Sequence, residues 1–333
     1  MAEPTLTISY AGFKVEVGYF LGLGYDENAW SAPDAQNIRG IIRQAYRQFL
    51  YPPLQPGESK QHVWSFLRRA GVLNAWPNLA GTVSGSPTYD ADTGLSTVTV
   101  TAAKFVDSVT SHNLKFGTSG TSYAIKTFVS TTQVKVTGDA SGEAAGQAYT
   151  VTANGNYDLP DAFGSLDGPI TFQPGDLYTD LLIVGEGEIR RRRVVDTTAT
   201  IPVYAAIRPK SSDGSTGQRF ELLIWPTPDA SYTLDYAYYL NPDDLTDANP
   251  YPLGGNAYGE CLLASCLAVA EQKSHDAVAQ HTMRFKELLA AAIARDKSSQ
   301  RPNVYGSLNP TVSEGRIVRH ASWLPANVVV ATI

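Results

Sequence analysis

Apolar residues recur at helical spacing near both ends of this chain and at every second position through its middle, and one layer of one kind of structure cannot satisfy both patterns. The fold class that follows is α+β. Ser9 can cap a helix in which Phe13, Val17, Phe20 and Leu21 share a face, with Gly22 and Gly24 as the stop. The β-branched residues of the KVEV stretch also permit a strand there. A second helix starts at Ser31, with Pro33 in its first turn and Asp34 three residues after the cap. Ile38, Ile41, Ile42, Ala45 and Phe49 form its apolar stripe, Arg39, Arg43 and Arg47 line another face, and Pro52 and Pro53 end it. Beyond the Pro- and Gly-rich stretch 249–255, Tyr258, Cys261, Leu262, Ser265 and Val269 belong to one apolar segment. A second late helix is expected over His275–Lys297, with Val278, His281, Phe285, Leu288, Leu289 and Ile293 at helical spacing.

Between these ends the composition shifts abruptly. From Gly81 to about Ala153 the chain is rich in Thr, Ser, Gly and Val, with alternating runs at Ser96–Thr101, Gln133–Thr137 and Tyr149–Ala153. Such runs between Gly and Asp turns indicate a small β-sandwich or β-barrel-like domain set into the chain. Strand-like segments resume at Ile170–Phe172, Asp180–Val184, Thr200–Ile207, Phe220–Trp225 and Ser231–Leu240. The expected organisation is a helical bundle built from N- and C-terminal helices, a β-rich middle, and an inserted β-module at 78–155. The core then comprises 1–77 and 156–300, and 301–333 form an extended C-terminal arm ending in the apolar run VVVATI. Trp64, Phe66 and Leu67, just after the double proline, read as packing residues that pin the returning chain, with Arg68 and Arg69 near a surface or interface.

The net charge of −6 argues against a broad basic nucleic-acid surface. Cys261 and Cys266 lie five apart on what reads as a helix, so they face different ways and suit two buried thiols in a reducing compartment. Neither a signal peptide nor a membrane span is expected, since no continuous apolar run is long enough. The phosphate-loop, HExxH, CxxC and GxSxG patterns are missing from the sequence, so no catalytic, cofactor-binding or metal residues are assigned and an enzyme is not expected. His275 and His281 are six apart, on different sides of a helix, and Asp243, Asp244 and Asp247 do not keep calcium-loop spacing. The sharpest charge feature is Arg190, Arg191, Arg192 and Arg193 in GEGEIRRRRVVD. On a strand they would alternate across two faces, and on a helix they would spread around it. Three readings stay open: contact with a polyanion, pairing with carboxylates of an adjoining subunit, or pairing within the chain to Glu186, Glu188 and Asp196.

The ordered set SYAGFKVEVGYFLGLGYD, NIRGIIRQAYRQFLYPP, HVWSFLRR and NYDLPDAFGSLDGPITF, followed by YGECLLASCLAVAEQ and HTMRFKELLAAAI, resembles the neck proteins of tailed bacteriophages, specifically head-to-tail connector or adaptor proteins. The resemblance covers roughly 5–76 and 156–300, and 81–153 is then an addition to the shorter pattern. It implies a structural virion protein at the head-tail junction, made in the host cytoplasm. It implies a homo-oligomeric ring, about twelve-fold, docked on the portal protein and carrying the tail or next neck protein, with DNA passing through without sequence-specific binding. On that reading the four arginines are candidate inter-subunit contacts. Ile317, Val318, Trp323, Leu324, Val328, Val329 and Val330 are candidates for an arm that docks on the portal, and no cofactor or membrane is implied. Two other readings are a tail terminator or tube component, and an adhesive or carbohydrate-binding protein working through the β-module.

Overall fold

Serine hydroxyls start the first two helices, as their sequence positions require. Ser9 Oγ accepts from the Gly12 amide at 3.3 Å, and Ser31 Oγ accepts from the Asp34 amide at 3.3 Å while donating to Asp34 Oδ2 at 2.6 Å. The computed structural model describes residues 4–54, 59–110, 112–117, 119–174, 178–210, 217–275 and 280–300. Among them are five α-helices: α1 (Tyr10–Phe20), α2 (Ala32–Leu50), α3 (Glu186–Val195), α4 (Asn256–His275) and α5 (Gln280–Gln300). The KVEV stretch is helical within α1, because Phe13 and Val17 can then bury together. His275 closes α4 instead of opening the last helix, since the apolar sequence of α4 carries its hydrogen bonding that far.

Helices α1, α2, α4 and α5 share one buried cluster, in which Phe13, Ile38, Ile42, Phe49, Leu262, Phe285 and Leu289 meet. After the double proline the chain returns across the end of α2. There the Trp64 indole donates to the Phe49 carbonyl at 2.9 Å, satisfying one of the helix's last four free carbonyls. Trp64 also stacks on Phe49 at 5.0 Å and on Phe66 at 5.3 Å, with Tyr258 edge-on at 5.4 Å. The acidic loop after residue 240 holds no calcium-like cluster. Asp244 pairs with Arg43 of α2 and Asp247 with Lys14 of α1, so those carboxylates tie the loop to the helices.

The rest of the described chain is β-rich, in the order β1 (Arg68–Ala75), β2 (Leu79–Thr82), β3 (Thr88–Asp90), β4 (Leu95–Thr99), β5 (Asn113–Phe116), β6 (Ser122–Ser130), β7 (Gln133–Thr137) and β8 (Ala148–Val151). There follow β9 (Asn156–Asp158), β10 (Phe163–Leu166), β11 (Thr171–Phe172), β12 (Leu182–Ile183), β13 (Tyr204–Pro209), β14 (Phe220–Trp225) and β15 (Tyr232–Leu240). The long strand β15 pairs with β1 on one edge and with β10 and β11 on the other. A second sheet runs β12-β13-β14-β9, in which only the β12-β13 pair is parallel.

The third sheet has the order β2-β8-β5-β6-β7-β4-β3, and it closes on itself. Val83, just past β2, bridges Val100, just past β4. The Ser84 amide donates to Thr99 O at 2.9 Å and the Thr101 amide to Thr82 O at 3.0 Å, so β2 and β3 act as one bent strand between β8 and β4. Closure removes the free edges that a short polar sheet would otherwise expose. The interior is Val98, Leu114, Phe116, Val134, Val136 and Val151, the alternate residues of those strands. That interior is continuous through Trp76 and Tyr157 with Leu222, Ile224 and Leu234 of the other two sheets.

Candidate interaction site: the arginine helix

The arginine run lies on α3, a ten-residue helix opened by Gly185 and seated by one buried side chain, Ile189. Ile189 packs on Ala206 of β13 and Leu223 of β14, and burying it contributes about 1.5–3 kcal/mol. Glu186 and Glu188 occupy the first turn and Arg192 and Arg193 the last, which complements the helix dipole at both ends.

Helical geometry divides the four arginines into two pairs. Arg192 and Arg193 fall toward the sheet with Ile189. Arg192 lies 4.0 Å from the centre of the Tyr204 ring and 5.3 Å from that of Trp225, and its Nε donates to Glu188 Oε1 at 2.8 Å. Arg193 reaches over the end of the sheet. Its Nη1 donates to Asn156 Oδ1 at 2.7 Å, and its Nη2 donates to the carbonyls of Gly155 and Ile224, both at 2.9 Å. Burial, with Arg208 nearby, pulls the Arg193 guanidinium below the usual arginine value. The hydrogen bond from Arg191, reinforced by Arg192, holds Glu188 below the usual carboxylate range.

Arg190 and Arg191 face away from the sheet and are exposed. Arg191 reaches back to Glu188 at 2.8 Å, while Arg190 makes no hydrogen bond or ion pair with another described residue. Pairing within the chain therefore involves Glu188 alone of the three nearby acids. Glu186 instead pairs with Arg208 at 3.0 Å, and the Asp196 carboxylate accepts from the Thr198 amide at 2.8 Å. Val194 and Val195 complete the outward face, each 83% exposed. Their position right after the run was the available signal, because helical register places them beside Arg190 and Arg191.

Gly155 is the other residue this seat depends on. Its φ is +70°, and an added Cβ would lie 2.7 Å from Ile224 O and 2.8 Å from Arg193 Nη2. Gly155→Ala is expected to destabilise the protein by at least about 2 kcal/mol through left-handed strain and displacement of the guanidinium. A urea unfolding midpoint equal to that of the wild type would show that the seat is not constrained.

The candidate arm residues Ile317, Val318, Trp323, Leu324, Val328, Val329 and Val330 lie outside the described residues. Cys261 and Cys266 are both buried and free, and burial pushes the Cys261 thiol up to about 12. Among the described residues no group of His, Cys, Asp and Glu side chains gathers to hold a metal ion, and no helix is long and apolar enough to cross a membrane.

A closed β-barrel, a set of packed helices and a short helix with an outward basic and apolar face suit a structural component that works by contact. The family model described as SU10 adaptor protein matches residues 93–309, well over half of the sequence, so the chain belongs to the SU10 adaptor protein family. The match takes in α3, α4 and α5 and begins within the closed sheet, so it shares 156–300 with the stretch on which the sequence resemblance rests. No curated protein matches the chain.

Proposed function

We propose that copies of this chain form the ring-shaped head-to-tail adaptor of a tailed phage, joining the portal to the tail or next neck protein while the genome passes through. Membership of the SU10 adaptor protein family is the observation that carries this reading. In it, α1, α2, α4 and α5 are the helical bundle of each subunit, the closed sheet within 78–155 is a module added to the core, and about twelve copies close the ring. The net charge of −6 supports passage of DNA, because a strongly basic lining would hold phosphates by counterion release.

Imaging the neck of intact particles tests this reading. A closed ring of this chain between portal and tail is expected, and its location elsewhere on the particle would overturn the assignment. The apolar arm 301–333 is read as the portal-docking element. Truncation after Asn309 is expected to weaken portal binding about tenfold or more, with helical circular dichroism and unfolding midpoint unchanged. Full portal binding by the truncated chain would remove the arm from the interface.

A further inference from the structure

Two exposed faces on different parts of the fold have complementary chemistry. The first is the outer side of α3, where Arg190 and Arg191 stand beside Val194 and Val195. The second is the outer side of α1 and the turn after it. Here Tyr19 and Tyr25 are 56% and 59% exposed, and their rings stack at 4.4 Å with an interplanar angle of 13°. Glu16 stands one turn before Tyr19, exposed and on the same helical face. Both the stacked tyrosines and the paired valines leave large apolar area in water with no described residue over it.

We propose that the α3 face of one copy docks on the Glu16, Tyr19 and Tyr25 face of the next copy, an inference that rests on the ring reading above. The chemistry matches group by group. A guanidinium pairs with a carboxylate and stacks on a tyrosine ring, and valine methyls cover the remaining ring area. The same helix already uses this chemistry inward, where Arg192 lies over Tyr204 and pairs with Glu188. A ring needs two different surfaces per subunit, which meet head to tail. These two qualify, since α1 packs in the helical cluster and α3 in the separate Ile189, Ala206 and Leu223 cluster. Nucleic acid fits the α3 face less well, because two exposed valines offer nothing to a phosphate backbone.

The test uses the full chain, read by sedimentation in solution and by its incorporation into phage particles. Arg190→Glu with Arg191→Glu is expected to weaken self-association about tenfold or more, and Glu16→Arg to weaken it also. Combining the three changes should restore part of the loss. A chain carrying both Tyr19→Cys and Val194→Cys should yield a series of disulfide-linked multimers on oxidation, while either change alone should yield none beyond a dimer. The buried Cys261 and Cys266 keep the background low. Multimers that persist in the charge-reversed variant, with no disulfide-linked series from the chain carrying both cysteines, would overturn this contact and leave the ring intact. A wild-type chain that forms no multimer in either setting would overturn the ring and the contact together.

Discussion

Asp296→Ala is expected to destabilise the protein by about 3–5 kcal/mol, because it removes the acceptor that joins α5 to α4 and to the chain at His62 and Ser65. The carboxylate is fully buried on α5, and its Oδ2 accepts from the Ser65 amide at 3.1 Å and lies 2.9 Å from His62 Nε2. Its Oδ1 accepts from the Ser65 hydroxyl and from Tyr258 OH of α4 at 3.4 Å. Alanine would leave these half-buried polar groups without the carboxylate that partners them, and each group left unpaired away from water costs about 1–3 kcal/mol. The loss should appear as a lower urea midpoint with an unchanged slope, since the native packing and the exposed area on unfolding stay similar. Trp64, edge-on to His62 at 4.8 Å, reports the same event by fluorescence. A midpoint within about 0.5 kcal/mol of the wild type would mean that water reaches this carboxylate and replaces it.

Asp296 also marks where the sequence could be read and where it could not. It follows Phe285, Leu289 and Ile293 on the buried stripe of α5, so its place on an apolar face is visible from spacing alone. Its partners are not, because Ser65 and His62 lie more than two hundred residues earlier in the chain. Several local signals were legible. Ser9 and Ser31 cap the helices they precede, and the alternating run Gln133–Thr137 and the strand-like segment Phe220–Trp225 are strands over those residues. Strand β1 gave no such signal. Its residues RRAGVLNA do not alternate, and Gly71 is there because a Cβ would come within 2.5 Å of the Tyr236 ring on β15. Barrel closure depends on the Val83 to Val100 bridge, a pairing that no local pattern specifies.

The arginine run shows the same limit in another form. Its composition allowed a strand or a helix, and the tertiary contact of Ile189 with β13 and β14 selects the helix. Only then do two arginines become packing groups and two become an outward face. In α3, therefore, the assignment of polar side chains to structure or to contact required the fold.

Trp76→Ala is the second large effect, expected at about 3–5 kcal/mol. Trp76 is fully buried between the end of β1 and the start of β2, with its ring 4.6 Å from that of His112 and 6.1 Å from that of Tyr157. Its backbone is held as well, since the Trp76 amide donates to Tyr157 OH at 3.2 Å and that hydroxyl donates to Trp76 O at 3.3 Å. Burial pushes the Tyr157 phenol up to about 12 and pulls His112 below its ordinary value. Removing the indole from such a site opens a cavity that the backbone contacts hold open. The closed sheet and the rest of the β-rich body share this buried cluster, so the loss should lower one cooperative transition for both. On β1, four residues before Trp76, Val72 is 57% exposed, and Val72→Ala should change stability by less than about 0.5 kcal/mol. If Trp76→Ala behaved like Val72→Ala, the closed sheet would be packed independently of the core, and the indole would not be what joins them.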